Sequence, residues 1–466
     1  MSRKFSLEEL LKNLNVIEYN CSSDSSFEGT NINSEQIKPG NIFFAIKGNK
    51  VDGHDFIKSA FDNGAKLFII DHLTPAIVEN KFPYILVENV LQSLISLARY
   101  CRKNFKGKII AVTGSAGKST TKNWLFEILQ NFKSAFSTYK NQNTDIGSAL
   151  TLTNCDQNID FCIMELGMST RGEISISSKI VNPDIAILTN VKPVHIENFH
   201  SLLDIAHEKA DIVDGMKSDS AIFINKEETP FDEIVESIKA KGKDINIFSF
   251  GKDESCECRL KTYDFSNAEF SVDASIFGED VEFTMQNVGE HFIWNAVGIL
   301  GVTKYLQLSL CDVAKKMKTL GLYSGAGQVI EVGKIKIIDE TYNANPAAVV
   351  CAIKKLAMME GKRKIAILGE MYELGDFLQQ GLNEILKSLI ENKIDIVFTC
   401  GPLMRSLFDR LPKEMRGGHC DDVDVKILDD FVINDGDVFL VKGSHGVNFS
   451  KGRMYEFVKD LSSYSY

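Results

Sequence analysis

Short apolar runs, each followed by an amphipathic stretch, organise most of this chain. Ile109-Ile-Ala-Val112 is an apolar run of the kind that forms a buried strand. A polar, glycine-bearing turn follows it, and residues 119–132 then carry apolar side chains at helical spacing. Phe161-Cys-Ile-Met-Glu-Leu-Gly167 and Ile185-Ala-Ile-Leu-Thr-Asn-Val191 are two further buried-strand runs. Strand alternating with helix predicts a mostly parallel, doubly wound sheet over residues 107–320. Ahead of it, strand runs at 41–47 and 66–71 and helical patterns at 7–14 and 56–63 predict a small α/β domain over 1–106, with Pro39-Gly40 and Gly48 marking turns. Lys47 to Asp55 within it is polar and reads as a solvated loop.

The rest of the chain continues the alternation. Residues 201–216 predict an amphipathic helix whose charges suit a solvated face. Residues 256–287 alternate as strands do, and 289–306 predict a helix. Glycine-rich Gly321 to Gly327 predicts a linker. Strand runs at 335–339, 364–368, 395–400 and 438–441, each with a helix after it, predict a Rossmann-like domain over 321–466. No glycine fingerprint follows its first strand, so a dinucleotide is not expected there. The fold class is therefore α/β in three domains.

Composition narrows the function. At 466 residues the chain suits about three domains. With 44% hydrophobic and 25% charged residues it has the make-up of a soluble globular protein. A net charge of −11 without a dense basic tract excludes a duplex-coating nucleic-acid binder. Glu8 and Glu9 stand where a signal peptide needs apolar residues, and no apolar run is long enough for a membrane span. The ten cysteines are single apart from Cys256-Glu-Cys258, which reads as reduced thiols and neither a disulfide frame nor a zinc site. A cytoplasmic protein is expected.

The chemistry concentrates at Thr113-Gly114-Ser115-Ala116-Gly117-Lys118-Ser119-Thr120. Between a buried strand and a helix, this glycine turn makes a phosphate cradle. The helix start presents unpaired N–H groups and a positive dipole end. Lys118 adds a charge toward the terminal phosphates, and the Ser119 hydroxyl suits Mg²⁺. The loop is shorter than a standard P-loop, with Val112 where the first glycine belongs. Glu165, Asn190 and His195 fall at or just beyond the ends of neighbouring strands, where such sheets bind ligands. A carboxylate at the tip of an apolar strand is costly to bury unless paired or metal-bound. Read alone, His195 is a satisfied loop histidine; beside Glu165 and the loop it becomes a candidate metal ligand.

These residues resemble the Mur ligases of bacterial cell-wall synthesis, over most of the chain. The shortened loop is theirs, and so are Pro39-Gly40, Asp52-Gly-His-Asp-Phe56, Lys140-Asn-Gln-Asn-Thr-Asp-Ile-Gly147 and Glu165-Leu-Gly-Met-Ser-Thr-Arg-Gly172. Tyr342-Asn-Ala-Asn-Pro346, Gly369-Glu-Met-Tyr-Glu-Leu-Gly375 and Val441-Lys-Gly-Ser444 resemble the signatures of the member that uses D-alanyl-D-alanine. The resemblance implies an ATP- and Mg²⁺-dependent ligase that activates the terminal carboxylate of UDP-N-acetylmuramoyl-tripeptide as an acyl phosphate for attack by the dipeptide amine. It implies Ser119 and Glu165 on one Mg²⁺, His195 on a second, and Lys209 as a carbamylated ligand. It implies Asn295 on the adenine side and Asp339 and Asn343 on the nucleotide. Ser34, Asn141, Asn143, Tyr342, Asn345 and Lys442 would face substrate. A monomer is expected.

Three positions depart from the family pattern. Asn33-Ser34-Glu35, Gly327-Gln328 and Lys442-Gly-Ser-His445 each lack an arginine the family usually carries, the bidentate type that other cations replace poorly. The phosphate-transfer residues are intact. Alternatives are a folylpolyglutamate synthetase-like ligase, disfavoured by the substantial segment 1–106, and a catalytically degenerate nucleotide-binding relative.

Overall fold

The apolar runs form the strands of three parallel-rich sheets. The computed structural model describes residues 2–22, 25–48, 50–140, 142–194, 196–266, 269–286, 289–322, 325–372, 374–444 and 454–463. Asn141, His195 and His445 lie outside these residues.

The first sheet runs Val16–Asn20, Tyr84–Val87, Leu67–Ile70, Ile42–Phe44, Thr30–Asn31. Only Val16–Asn20 is antiparallel to its neighbour. The strand expected over 41–47 ends at Phe44 because the chain turns there, with Ile46 N–H donating to the Phe44 carbonyl. The helix Val90–Asn104 closes this unit. Asn89 caps it by accepting from the Gln92 N–H, and Leu94, Leu97, Ala98 and Cys101 are buried. Those side chains belong to one apolar cluster that continues into Ile109, Ala111, Met164 and Leu188 of the second sheet. Arg102 reinforces the junction, donating to the carbonyls of Val181 (2.9 Å) and Asn182 (2.8 Å) and to Asp184 (2.9 Å).

The second sheet has nine strands in the order Glu279–Gln286, Glu269–Ile276, Cys258–Ser266, Asn246–Gly251, Ala221–Asn225, Ile185–Leu188, Lys108–Thr113, Phe161–Glu165, Ala135–Ser137. All pairs are parallel except the two joining the last three strands in the chain. Their alternation buries Phe270, Val272, Ala274 and Ile276 on one face, in the same cluster as the helix His291–Tyr305. The expected helix at 201–216 is α-helical only over Leu202–Ala210 and tightens to a 3-10 turn over Asp211–Gly215. The tightening has a local cause. Ser178 donates to the Ile212 carbonyl and accepts from the Gly215 N–H, and a Cβ on Gly215 would sit 1.8 Å from the Ser178 carbonyl oxygen.

The third sheet runs Gln328–Val332, Ile335–Glu340, Asp437–Lys442, Arg363–Leu368, Ile396–Cys400, Arg416–Cys420. It contains the four expected strands plus one at each edge. Those edge strands escape the apolar pattern because Gln328–Val332 is half exposed and Arg416-Gly-Gly-His-Cys420 is polar. Arg363 grips Asp437 across two central strands at 2.8 and 2.6 Å, and the Asp437 side chain is 0% exposed. Arg363→Ala leaves that buried carboxylate without its cation, held by the Asn434 N–H, and should lower stability by about 3 kcal/mol. Urea unfolding followed by circular dichroism measures it, and a loss under about 1 kcal/mol would mean the pair behaves as a surface ion pair.

Candidate active site

Chain order places the site. Lys108–Thr113 lies between Phe161–Glu165 and Ile185–Leu188, and the chain runs first to one side of it and then crosses to the other. Such a switch point opens a crevice, and the glycine loop occupies it. Gly114 (φ +148°) and Gly117 (φ +77°) both need glycine's conformational freedom. Both are also tightly approached. A Cβ on Gly114 would lie 1.9 Å from Thr189 Oγ1, and one on Gly117 2.5 Å from Asn295 Nδ2.

The segment after Ile185–Leu188 moulds the loop. Thr189 Oγ1 donates to the Ala116 carbonyl at 2.7 Å, and Asn190 Oδ1 accepts from the Ala116 N–H at 2.8 Å. Ser115 Oγ accepts from the Lys192 N–H and donates to its carbonyl. Thr113 donates to the Leu166 carbonyl and Thr120 is buried. The helix Lys118–Leu129 starts at Gly117, which offers no side-chain cap. Its first N–H groups therefore face the crevice as an anion site. Lys118 folds back over the loop, donating to the Gly114 carbonyl at 2.7 Å. Burial pushes its ammonium below the ordinary lysine range, and Glu165 partly offsets this.

Glu165 is the centre of the polar contacts. It is 1% exposed at its strand tip. Ser119 Oγ donates to its Oε2 at 2.8 Å and Asn143 Nδ2 to its Oε1 at 2.9 Å. Lys122, buried one helical turn beyond Lys118, donates to the Thr138 carbonyl, and its charge also acts with that of Glu165. Lys209 is 2% exposed. Burial and the charge of Lys118 hold its amine well below the lysine range, against a smaller opposing effect of Glu208. Glu208 itself accepts from the Gly172 and Ile174 N–H groups, pinning this helix to the start of Glu173–Val181.

The third sheet reaches the same place. Burial and the charge of Glu165 push the Tyr342 phenol up to about 12, with Ser119 acting in the opposite sense. The Tyr342 phenol thus lies within range of the Ser119 hydroxyl and the Glu165 charge, with 39% of the residue exposed. Its neighbours have structural duties. Asp339 accepts from the Gly325 N–H and the Thr341 hydroxyl, Asn343 from the Ala344 N–H, and Asn345 caps the helix Pro346–Met358. Lys442 donates to Glu340 at 3.0 Å and to the Asn343 carbonyl. Lys355, pushed down to about 8 by burial, donates to the Gly327 carbonyl at 2.6 Å. His291, from the second sheet's buried helix, is lowered to about 4 by burial and feels Glu340, Lys355 and Lys442.

Lys118, Ser119, Asn143, Glu165 and Tyr342 thus converge, with Lys209 within range of the Lys118 charge and Asn295 against Gly117. Ser34 belongs to the first sheet's unit, where its carbonyl accepts from Asn63. A phosphate cradle, a buried carboxylate beside a hydroxyl, and a tyrosine from the third sheet within range of both suit a phosphoryl-transferring enzyme.

Comparison with known proteins agrees. The Mur ligase family catalytic domain matches residues 26–102, the Mur ligase middle domain 112–303, and the Mur ligase glutamate ligase domain 327–445. UDP-N-acetylmuramoyl-tripeptide–D-alanyl-D-alanine ligase of Rickettsia prowazekii is 31% identical over 90% of this chain and 93% of its own length. The chain belongs to the Mur ligase family, in its MurF type. Thermotoga maritima MurF in complex with ADP is 29% identical, with a TM-score of 0.77 over 93% of this chain and 96% of that one. Acinetobacter baumannii MurF has the same fold, with a TM-score of 0.86 at 24% identity over 99% of this chain and 100% of that one.

Sequence reading of this Mur ligase passed over Lys122, His291, Glu340 and Lys355. Lys122 and Lys355 did carry a signal, each being a lysine on the apolar face of its helix, three residues from Leu125 and Ala352 respectively. The state of Lys209 gives a direct test. An amine so buried and so near Lys118 destabilises the ligand-free fold, so Lys209→Met should leave the melting temperature unchanged or raise it. A clear drop would show that Lys209 is a structural ion-pair partner.

Proposed function

We propose that this chain joins D-alanyl-D-alanine to UDP-N-acetylmuramoyl-tripeptide at the expense of ATP. The observation that carries the reading is the Ser119–Glu165 pair beside the phosphate loop, with Tyr342 of the third sheet within range of its charge. The γ-phosphoryl group of ATP passes to the tripeptide's terminal carboxylate, releasing ADP and leaving an acyl phosphate. The dipeptide amine attacks that carbonyl, a tetrahedral intermediate forms, and phosphate leaves as the amide closes. The helix start at Gly117 and the Lys118 ammonium neutralise charge on the transferring group. Lys118 must leave the Gly114 carbonyl to do so, exchanging one acceptor for a more charged one.

Ser119 and Glu165 present a hydroxyl and a carboxylate oxygen 2.8 Å apart, the hard donors that Mg²⁺ takes. We assign them to one Mg²⁺, and His195 with a carbamylated Lys209 to a second. Bound there, Mg²⁺ would supply charge neutralisation for the phosphoryl oxygens. Burial and the Lys118 charge disfavour the charged form of the Lys209 amine, and the neutral amine is the form that combines with carbon dioxide, which fits Lys209 for that modification. Asn143 holds the Glu165 carboxylate in place, and Asn295 lies against the loop for the adenine side. We assign Asp339 and Asn343 to the nucleotide and Asn345, Lys442, Ser34 and Asn141 to substrate. Closure of the third sheet keeps water from the acyl phosphate. The working division is 1–106, 107–320 and 321–466, as a cytoplasmic monomer. No helix among the described residues is long and apolar enough to cross a membrane.

Phosphate release from ATP, measured with UDP-N-acetylmuramoyl-tripeptide and with or without D-alanyl-D-alanine, tests the reading. Release requiring both partners, with the pentapeptide seen by mass, is the expected result. ATP binding without such release would point to a degenerate relative. Lys118→Ala should lower turnover by at least ~10²-fold, the scale of one preorganised electrostatic contact. Glu165→Ala should raise the Mg²⁺ concentration needed for half-maximal rate, and an unchanged requirement would remove it from the ligands.

A further inference from the structure

A second group of metal-ligating side chains stands on the first sheet, apart from the phosphate loop. His54 lies in the 3-10 turn Gly53–Phe56, and Asp71 and His72 directly follow the strand Leu67–Ile70. One ligand atom from each of the three lies within 4.8 Å of the other two. Asp71 Oδ1 is 2.7 Å from His72 Nδ1 and 3.4 Å from His54 Nε2. The His54 side chain is 3% exposed, those of Asp71 and His72 34% and 55%.

His54 is held as a ligand would be. Asp52 Oδ1 lies 2.7 Å from His54 Nδ1 and accepts the His54 backbone N–H at 3.0 Å. A carboxylate on Nδ1 fixes the proton there and turns the Nε2 lone pair to Asp71, where it accepts the backbone N–H at 3.4 Å, a long hydrogen bond that a metal ion on Nε2 would replace. The turn itself cannot drift, since a Cβ on Gly53 would lie 2.7 Å from the backbone of Ala45 and Ile46. The two imidazoles stack at 4.0 Å and 26°. Drawing their nitrogens onto one ion needs the exposed His72 to turn while buried His54 stays.

We infer that His54, Asp71 and His72 form a binding site for a divalent transition metal of the zinc class, with Asp52 as its positioning residue. Two imidazoles and one carboxylate are the donors that Zn²⁺ and Co²⁺ accept, and the exposed side leaves a position for water. Bound metal ties the Asp52–Phe56 turn to the end of Leu67–Ile70. Co²⁺ titration of the tag-free full chain, in excess Mg²⁺ to occupy hard oxygen sites, reads the site by its visible absorbance. A single saturable equivalent, displaced by Zn²⁺, lost in His72→Ala and weakened about 10–100-fold in Asp52→Asn, is the expected result. No saturable Co²⁺ binding, or equal binding in wild type, His72→Ala and Asp71→Ala, would overturn the assignment. Both exposed positions can be changed without opening the core.

Discussion

A charged carboxylate buried at the tip of an apolar strand is the constraint on which the catalytic half of this molecule turns. Glu165 is 1% exposed, and a lone carboxylate there would be prohibitively desolvated. The surroundings answer that cost. Ser119 and Asn143 donate directly to it, and the Lys118 and Lys122 charges oppose its own. They come from three pieces of local structure: Lys118 and Ser119 from the helix start, Asn143 from the turn before residue 145, and Lys122 from the next turn of the loop's helix. Satisfying one oxygen pair therefore fixes the relative placement of the loop, its helix and the neighbouring strand.

Rigidity around that centre comes from packing that ignores sheet boundaries. One apolar cluster runs from Phe5 of the first unit to Ile245 of the second, so the first two sheets share a core. The third sheet has its own two clusters and meets the second through polar and aromatic groups, Tyr342 and His291 among them. Burial drives both titrations away from charge, keeping the phenol protonated and the imidazole neutral near pH 7. Glu340, Lys355 and Lys442 add charge around His291 at this junction, and a polar junction separates more cheaply than an apolar core, which suits a ligase that must admit two substrates and then exclude water.

The sequence made most of this architecture legible because buried parallel strands announce themselves as apolar runs. Four strands of the third sheet and the strands flanking the loop were readable in that way. Gln328–Val332 and Arg416–Cys420 were not, since an edge strand needs only one buried face or none. The helix expected over 201–216 gives way to a 3-10 turn in its second half because that tightening depends on Ser178, more than thirty residues away. The loop, Ser119 and Glu165 were legible from spacing alone. Tyr342 was accessible only through resemblance, because its approach to Ser119 depends on how two sheets dock. Lys355 and Glu340 lack any motif; only a lysine on an apolar helical face hinted at the first.

Charge in the cleft of the third sheet follows from that last pair. Glu340 stays ionised despite its burial because Lys442 and Lys355 both act on it, and Lys442 bonds it at 3.0 Å. Two ammonium groups thus share one carboxylate, leaving the cleft wall positive. The family resemblance leads one to expect an arginine at Gln328, and Lys355 lies on the carbonyl of the adjacent Gly327. A lysine there supplies positive charge but not the planar bidentate fork of a guanidinium. Attraction for an anion depends on charge and distance, and its orientation depends on the fork. A wall built in this way would attract a phosphate or carboxylate without fixing the geometry in which that group is presented.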